Sequence, residues 1–291
     1  MFPARIREYH RPSSIAEALS VIAREDVGEA IFLAGGQSAM QAIKSRMLQP
    51  DCLIDLQAID EIRGIRQTDG ALEIGAMTRY VDIAENGALD GPFAALRDAA
   101  SRVGDRQVRN RGTIGGSMCW NYVASCMPTA VLGLGGVCHL VSLKGERSVP
   151  ADDFFQGPLT TAREDGELLS AIRFAAPAKR SGSAYRKWGL VTDSLPVVGV
   201  CVNVSLDGGG RCTAVRVSLT GLPDGAQRST SAEEALLNSN CEPEVLRSAM
   251  NAAADNVDAQ SDDSASADYR RQLIRTLGAE VAQLAVDRAK H

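Results

Sequence analysis

Two glycine pairs constrain this chain more than any other feature. Gly35 and Gly36 lie in LAGGQS at 33–38, and Gly115 and Gly116 lie in TIGGS at 113–117. The first pair follows the apolar run Ala30-Ile31-Phe32-Leu33, which reads as a strand, and precedes a helix-like stretch from Ser38 to Arg46. Glycine has no Cβ and tolerates positive φ, so paired glycines let successive backbone N–H groups point into one concavity. A helix that begins directly afterwards adds unpaired N–H groups and the positive end of its dipole. LAGGQS meets each of these requirements, with Ser38 supplying a hydroxyl. TIGGS meets the glycine and hydroxyl requirements, with Thr113 and Ser117 at its ends. One such loop reads more readily as turn punctuation. Two matched loops, eighty residues apart, suit a ligand that carries two phosphates. Neither loop is GxxxxGK[ST] or GxGxxG, so a pyrophosphate here requires some other fold.

Composition excludes several classes of function. The chain has 291 residues, 45% hydrophobic and 23% charged, enough for two ordinary domains. A net charge of −5 and 4% aromatics argue against a nucleic-acid partner, which needs basic patches or stacking platforms. No apolar run approaches the roughly 20 residues that span a bilayer, and the first residues contain no apolar signal-peptide core. The seven cysteines are scattered with no CxxC pair, and there are only three histidines. This predicts no metal site and no iron–sulfur cluster held by the chain itself. Free thiols fit a reducing cytoplasm.

The first part of the chain alternates strand and helix signals. Ser14 with Glu17 forms a capping box for a helix ending near Ala23. Strands are predicted at Cys52 to Leu56, 71–75, Val137 to Leu143, Arg147 to Val149 and Leu168 to Phe174, with helices at Phe93 to Val103 and near Pro128 to Leu134. After Ala175-Ala176-Pro177-Ala178 the texture changes. Strands at Tyr185 to Leu190, Pro196 to Leu206 and Cys212 to Leu219 precede helices at about 231–239, 243–254 and 267–287. The last helix is predicted to bury Tyr269, Leu273, Leu277, Val281 and Leu284 on one face. Strands followed by helices define a separate α+β unit, so two domains are expected, 1–177 and 178–291.

The ordered set RPSSIAEAL, LAGGQS, IGAMT (74–78), RNRGTIGGS (109–117), GELLSAIRF (166–174), YRKWG (185–189) and SADYRRQL (266–273) resembles the FAD-binding, or medium, subunit of molybdenum hydroxylases. This is the family of bacterial carbon monoxide dehydrogenases and xanthine dehydrogenase relatives, and the resemblance runs nearly end to end. It implies an α+β fold: a two-subdomain FAD-binding region of the vanillyl-alcohol-oxidase (PCMH) type, then a small α+β C-terminal domain. It also implies that Leu33, Ala34, Gly35, Gly36, Gln37 and Ser38, with Thr113, Ile114, Gly115, Gly116 and Ser117, wrap the FAD pyrophosphate. Thr78, Val103, Leu168 and Lys187 fall where relatives contact the cofactor. The sequence departs from the family at one point. Where relatives often carry ADPxxD or ADPxxE, this chain reads NYVASC, so Cys126 stands in place of a carboxylate. A thiol is a poor acceptor for ribityl hydroxyls, and Asn121, Tyr122 or backbone groups are candidates to compensate.

Other features admit several readings or a plain one. Arg102, Arg106, Arg109 and Arg111 cluster before TIGGS. They read as a solvated helix end and loop, as a partner-docking surface, or as charge near the phosphates. His10 and His139 read as structural histidines. Asp193-Ser194 has no histidine near it in sequence, which argues against a hydrolase triad. No catalytic acid–base residue is assigned. By resemblance, substrate is oxidised at a molybdenum cofactor in a large subunit, and electrons pass through two [2Fe-2S] clusters in a small subunit to the FAD held here. The expected assembly is a dimer of heterotrimers. The alternatives are an independent FAD-dependent oxidoreductase of the same superfamily and a flavin-free scaffold subunit.

Overall fold

The computed structural model describes residues 3–291. A small parallel sheet comes first, in the order Glu8–His10, Cys52–Asp55, Ala30–Leu33. The helix Ile15–Ile22 packs beside it and starts as its sequence predicts. Ser14 Oγ accepts from the Glu17 N–H at 3.2 Å, and the Glu17 carboxylate accepts from the Ser13 N–H at 2.7 Å. Leu33 and Asp55 are register partners at the carboxyl ends of neighbouring strands. In open parallel sheets ligands gather outside those ends, and LAGGQS begins there.

The second sheet has five antiparallel strands in the order Ile65–Thr68, Ala71–Gly75, Leu168–Phe174, Val137–Ser142, Gly145–Pro150. The helix Ala94–Ser101 shares this sheet's core through Ala95, Leu96, Ala99 and Ala100, and Phe93 meets Phe174 edge-on at 6.3 Å. The strand Leu168–Phe174 is introduced by a polar clasp. Arg147 grips Glu167 through Nε at 2.6 Å and Nη2 at 2.8 Å, and the Glu164 N–H donates to the same carboxylate. The Arg147 guanidinium holds the Glu167 pKa below its ordinary value. A depressed folded pKa stabilises the native state above the unfolded carboxylate range, and that contribution is lost as pH falls through the folded value. Stability of the wild type should therefore fall more steeply than that of Glu167→Gln on acidification, read from urea midpoints at stepped pH.

The third sheet is antiparallel, Ser181–Trp188, Val198–Leu206, Cys212–Thr220 and Gln227–Arg228. The helices Thr230–Leu236 and Ala267–Lys290 pack on it, and Pro243–Asp255 packs on those two helices, around a core of their own. The last helix corrects the sequence reading. Its buried stripe runs through Arg270, Ile274, Gly278, Ala282, Ala285 and Ala289 as well as Leu273 and Val281, whereas Tyr269 is exposed. Small residues win the buried face because the helices approach closely. A Cβ on Gly278 would stand 2.6 Å from the Met250 Sδ. Tyr269 instead meets Trp188 edge-on at 5.3 Å. Arg270 is buried by donating to the carbonyls of Val197, Gly221 and Gln260 and to Asp262.

The third sheet and its last helix are tied to helices that precede them in the chain. Arg288 donates to Asp98 at 2.6 and 3.2 Å and to the Ser183 carbonyl at 2.7 Å. Asp152 joins Arg216 and Arg228. A Cβ on Gly133 would lie 2.7 Å from both Cys201 Sγ and Ser218 Oγ, so the helix Cys126–Gly133 sits directly on the third sheet. Among the described residues five strands escaped the sequence reading: Glu8–His10, Ile65–Thr68, Phe155–Gly157, Thr160–Thr161 and Gln227–Arg228. All are short, and they lack the apolar alternation that marks a strand.

Candidate functional site

LAGGQS links the strand Ala30–Leu33 to the helix Ala39–Lys44. Gly36 has φ +73°, a conformation that penalises any Cβ. The N–H groups of Gly35, Gly36, Gln37 and Ser38 donate to no protein acceptor among the described residues. Four consecutive unpartnered donors after a glycine turn form a ready anion cradle. Ser38 occupies the N-cap position without a capping side-chain bond, leaving its hydroxyl available. The cradle opens into a cleft of about 460 Å³ whose other walls include Tyr9, Lys44, Asp55, Gln57 and Arg111.

TIGGS is built differently. It is not a loop: Thr113 caps the helix Ile114–Trp120, and both glycines lie in its first turn. Its leading N–H groups all have partners. Ile114 donates to the Thr78 carbonyl (3.0 Å), Gly115 to the Ala76 carbonyl (2.8 Å), Gly116 to Thr113 Oγ1 (3.1 Å) and Ser117 to the Thr113 carbonyl (3.2 Å). The glycines serve close approach. A Cβ on Gly115 would stand 2.6 Å from the Ala76 Cβ, and one on Gly116 would stand 3.4 Å from the Ala34 Cβ. Reciprocally, a Cβ on Gly35 would lie 2.2 Å from the Arg111 carbonyl oxygen. The two motifs therefore interlock. The first presents the free donors, and the second buttresses it.

The remaining sequence-derived residues divide into groups. The Thr78 hydroxyl is buried and already donates to the Gly64 carbonyl and accepts the Gly64 N–H, both at 3.0 Å. Asn121, at φ +43°, ends the helix Ile114–Trp120. Its Nδ2 pins the carbonyls of Gly157 and Thr160, while its buried Oδ1 has no partner. Cys126 opens the next helix beside Tyr185, Lys187 and Arg102. Burial pushes the Cys126 thiol pKa up and the Lys187 ammonium pKa down. The Lys187 Nζ donates to the Ser194 carbonyl. Leu168 is buried in the core with Met77, and Val103 packs against the core beneath the helix Ala94–Ser101. The cleft wall includes none of Val103, Leu168 and Lys187.

The Tyr185 hydroxyl faces the Cys126 thiol, completes no hydrogen bond and is fully buried. An unpaired buried hydroxyl destabilises. Tyr185→Phe should therefore leave stability unchanged or raise it by up to about 1 kcal/mol, measured by denaturant unfolding. A clear loss would reveal a partner for this hydroxyl.

Sequence reasoning missed Tyr9, Asp55 and Tyr80. Tyr9 donates to Asp55 at 2.5 Å, and both face the cleft. Tyr80 is buried with its ring against Gly112, just before the second glycine motif, and burial pushes its pKa up to about 12. None stands in a recognisable motif, and only folding brings them to the site. Arg111 carried a signal through its place before TIGGS. Of the four clustered arginines, Arg111 lines the cleft, Arg109 bonds the carbonyls of Val103 and Gly104, and Arg102 faces Cys126.

An interlocked glycine cradle at the ends of a small parallel sheet, followed by a sheet-and-helix unit, defines a protein built to hold a phosphate-bearing cofactor. The family described as the FAD binding domain in molybdopterin dehydrogenase matches residues 4–177, and the CO dehydrogenase flavoprotein C-terminal domain matches residues 183–284. The carbon monoxide dehydrogenase medium chain of Hydrogenophaga pseudoflava is 34% identical over 94% of each chain. A solved carbon monoxide dehydrogenase chain from that organism superposes with a TM-score of 0.92 over 99% of both chains. Quinoline 2-oxidoreductase from Pseudomonas putida 86 gives 0.91 at 28% identity over all of both chains. The xanthine dehydrogenase FAD-binding subunit of Escherichia coli O157:H7 is 28% identical over 96% of this chain and 95% of that one. The chain belongs to the family of FAD-binding medium subunits of molybdenum hydroxylases.

The site fits FAD in its donor set. The cradle supplies neutral N–H donors to an anion, and Arg111 and Lys44 add positive charge on the cleft wall. Among the described residues no helix is long and apolar enough to cross a membrane, and all seven cysteines are free thiols.

Proposed function

We propose that this chain holds FAD as the electron-exit subunit of a cytoplasmic molybdenum hydroxylase. It would receive electrons from a small subunit with two [2Fe-2S] clusters, served in turn by a large molybdenum-cofactor subunit, in a dimer of heterotrimers. The relatives named as medium chains and FAD-binding subunits support that division of labour. Bound FAD supplies the redox chemistry, accepting electrons and releasing them to an external acceptor. The protein's own residues bind and orient it. The N–H groups of Gly35 to Ser38 donate to phosphate oxygens, the Thr113–Ser117 turn holds that cradle in shape, and Arg111 balances charge. Residues 1–177 form the FAD-binding domain and 178–291 the C-terminal domain in this reading.

The observation that carries it is the run of four unpartnered donors locked against the second glycine pair. Purification of the native complex, with metal analysis and flavin release on denaturation, tests it. Stoichiometric FAD together with molybdenum and iron is expected. A chain that carries no flavin, or one that oxidises substrate unaided, would contradict it.

A further inference from the structure

Three metal-ligating side chains converge on the first sheet, remote in role from the glycine cradle. Glu8 and His10 are two residues apart on one strand, so both project from the same face. Cys52 is the direct register partner of Glu8 on the neighbouring strand. Glu8 Oε2 and His10 Nε2 are 2.8 Å apart, and the Cys52 Sγ lies within 4.8 Å of the ligand atoms of both. We propose that Glu8, His10 and Cys52 form a binding site for a divalent transition-metal ion of the zinc class.

Thiolate, imidazole and carboxylate together are the donor set that zinc takes, and three protein ligands leave a fourth position for water. Metal–ligand bonds of about 2.0–2.3 Å put neighbouring donor atoms of a tetrahedral site about 3.5 Å apart. The Glu8–His10 pair need only open slightly, and the thiol need only approach slightly. Cys52 is buried whereas Glu8 and His10 are partly exposed, so an ion enters from solvent and closes onto the thiolate. Binding releases the thiol proton, and the metal replaces the hydrogen bond between His10 and Glu8.

One charge competes for the site. Arg24 Nη1 lies 3.3 Å from Glu8 Oε2. It is not stranded when the metal takes that oxygen, because Asp26 already holds its guanidinium through two bonds at 3.0 and 2.8 Å. A bound ion would staple the edge strand Glu8–His10 to Cys52–Asp55. Between the two ligands of that edge strand sits Tyr9, whose hydroxyl reaches Asp55 on the cleft wall.

The test is equilibrium dialysis of the full chain, stripped by chelator, against micromolar Zn²⁺, with metal and FAD measured per chain. One tightly held zinc per wild-type chain is expected. Cys52→Ser should abolish it. His10→Ala and Glu8→Gln, which change partly exposed side chains, should each weaken it by more than the roughly 10-fold that loss of even an outer-shell partner costs. Cys241→Ser, in the separate core of the third sheet and its helices, should leave it unchanged. No stoichiometric zinc in the wild type, undiminished binding in His10→Ala and Glu8→Gln, or loss in Cys241→Ser alone would overturn the proposal.

Discussion

Gly36→Val is expected to strip the protein of FAD while leaving it folded. Gly36 sits at φ +73°, where a non-glycine residue is strained by about 1–3 kcal/mol and a β-branched one more than most. The new side chain also starts 3.2 Å from the Met40 Cγ, so the turn must rotate to relieve both contacts. Rotation misdirects the N–H groups of Gly35, Gly36, Gln37 and Ser38 together, because they belong to one turn. The strain falls at the end of the strand Ala30–Leu33, outside the two large cores. Flavin affinity should drop at least about 100-fold, equivalent to ~2.7 kcal/mol, with far-UV circular dichroism essentially unchanged. Full flavin occupancy in the purified variant would sink the cradle. Gly35→Ala is a harsher companion. Its Cβ would collide with backbone, the Arg111 carbonyl oxygen at 2.2 Å, which cannot yield as a side chain can.

Asp98→Ala should produce the largest loss of stability without touching the cleft. The Asp98 carboxylate accepts from Arg288 twice and from the Tyr185 N–H at 3.2 Å. Its side chain is 16% exposed and that of Arg288 is 20% exposed. Truncation leaves a mostly buried guanidinium with only the Ser183 carbonyl as partner. Breaking a buried ion pair typically costs about 3–5 kcal/mol. The residual exposure here lowers the expectation to about 2–4 kcal/mol. Denaturant unfolding of the variant measures it. Because the pair joins the helix Ala94–Ser101 to the helix Ala267–Lys290, the loss should also separate the unfolding of the third sheet from that of the rest. A change below about 0.5 kcal/mol, the ordinary range for surface positions, would mean that the pair is no latch.

The sequence carried those parts of the site whose chemistry is local. The glycine pair of LAGGQS, its preceding strand and its following helix announce a donor cradle, because backbone donors need only a turn and a helix start. TIGGS was legible as a partner but not in its role. Its glycines fit beside Ala76 and Ala34, and such packing depends on segments far away in the chain. The same limit hid Tyr9 and Asp55, which meet only when two parallel strands align. It also misassigned the buried face of the last helix. Leucines mark the edge of a stripe whose centre is filled by Gly278, Ala282 and Ala285, and only helix packing reveals that small residues are needed there. Glu8, His10 and Cys52 carry no spacing signal for a metal site, since their proximity is created by strand register.

The two glycine motifs make opposite demands on amide hydrogen exchange, and that contrast can be measured with and without FAD. Gly35 to Ser38 have unpartnered N–H groups, whereas Ile114 to Ser117 already have acceptors. In the flavin-free protein, 35–38 should exchange rapidly and 114–117 slowly. Loading FAD should strongly slow 35–38 and change 114–117 little. Exchange at 35–38 that stays fast with FAD bound, while 114–117 gains the protection, would contradict a cradle formed by LAGGQS.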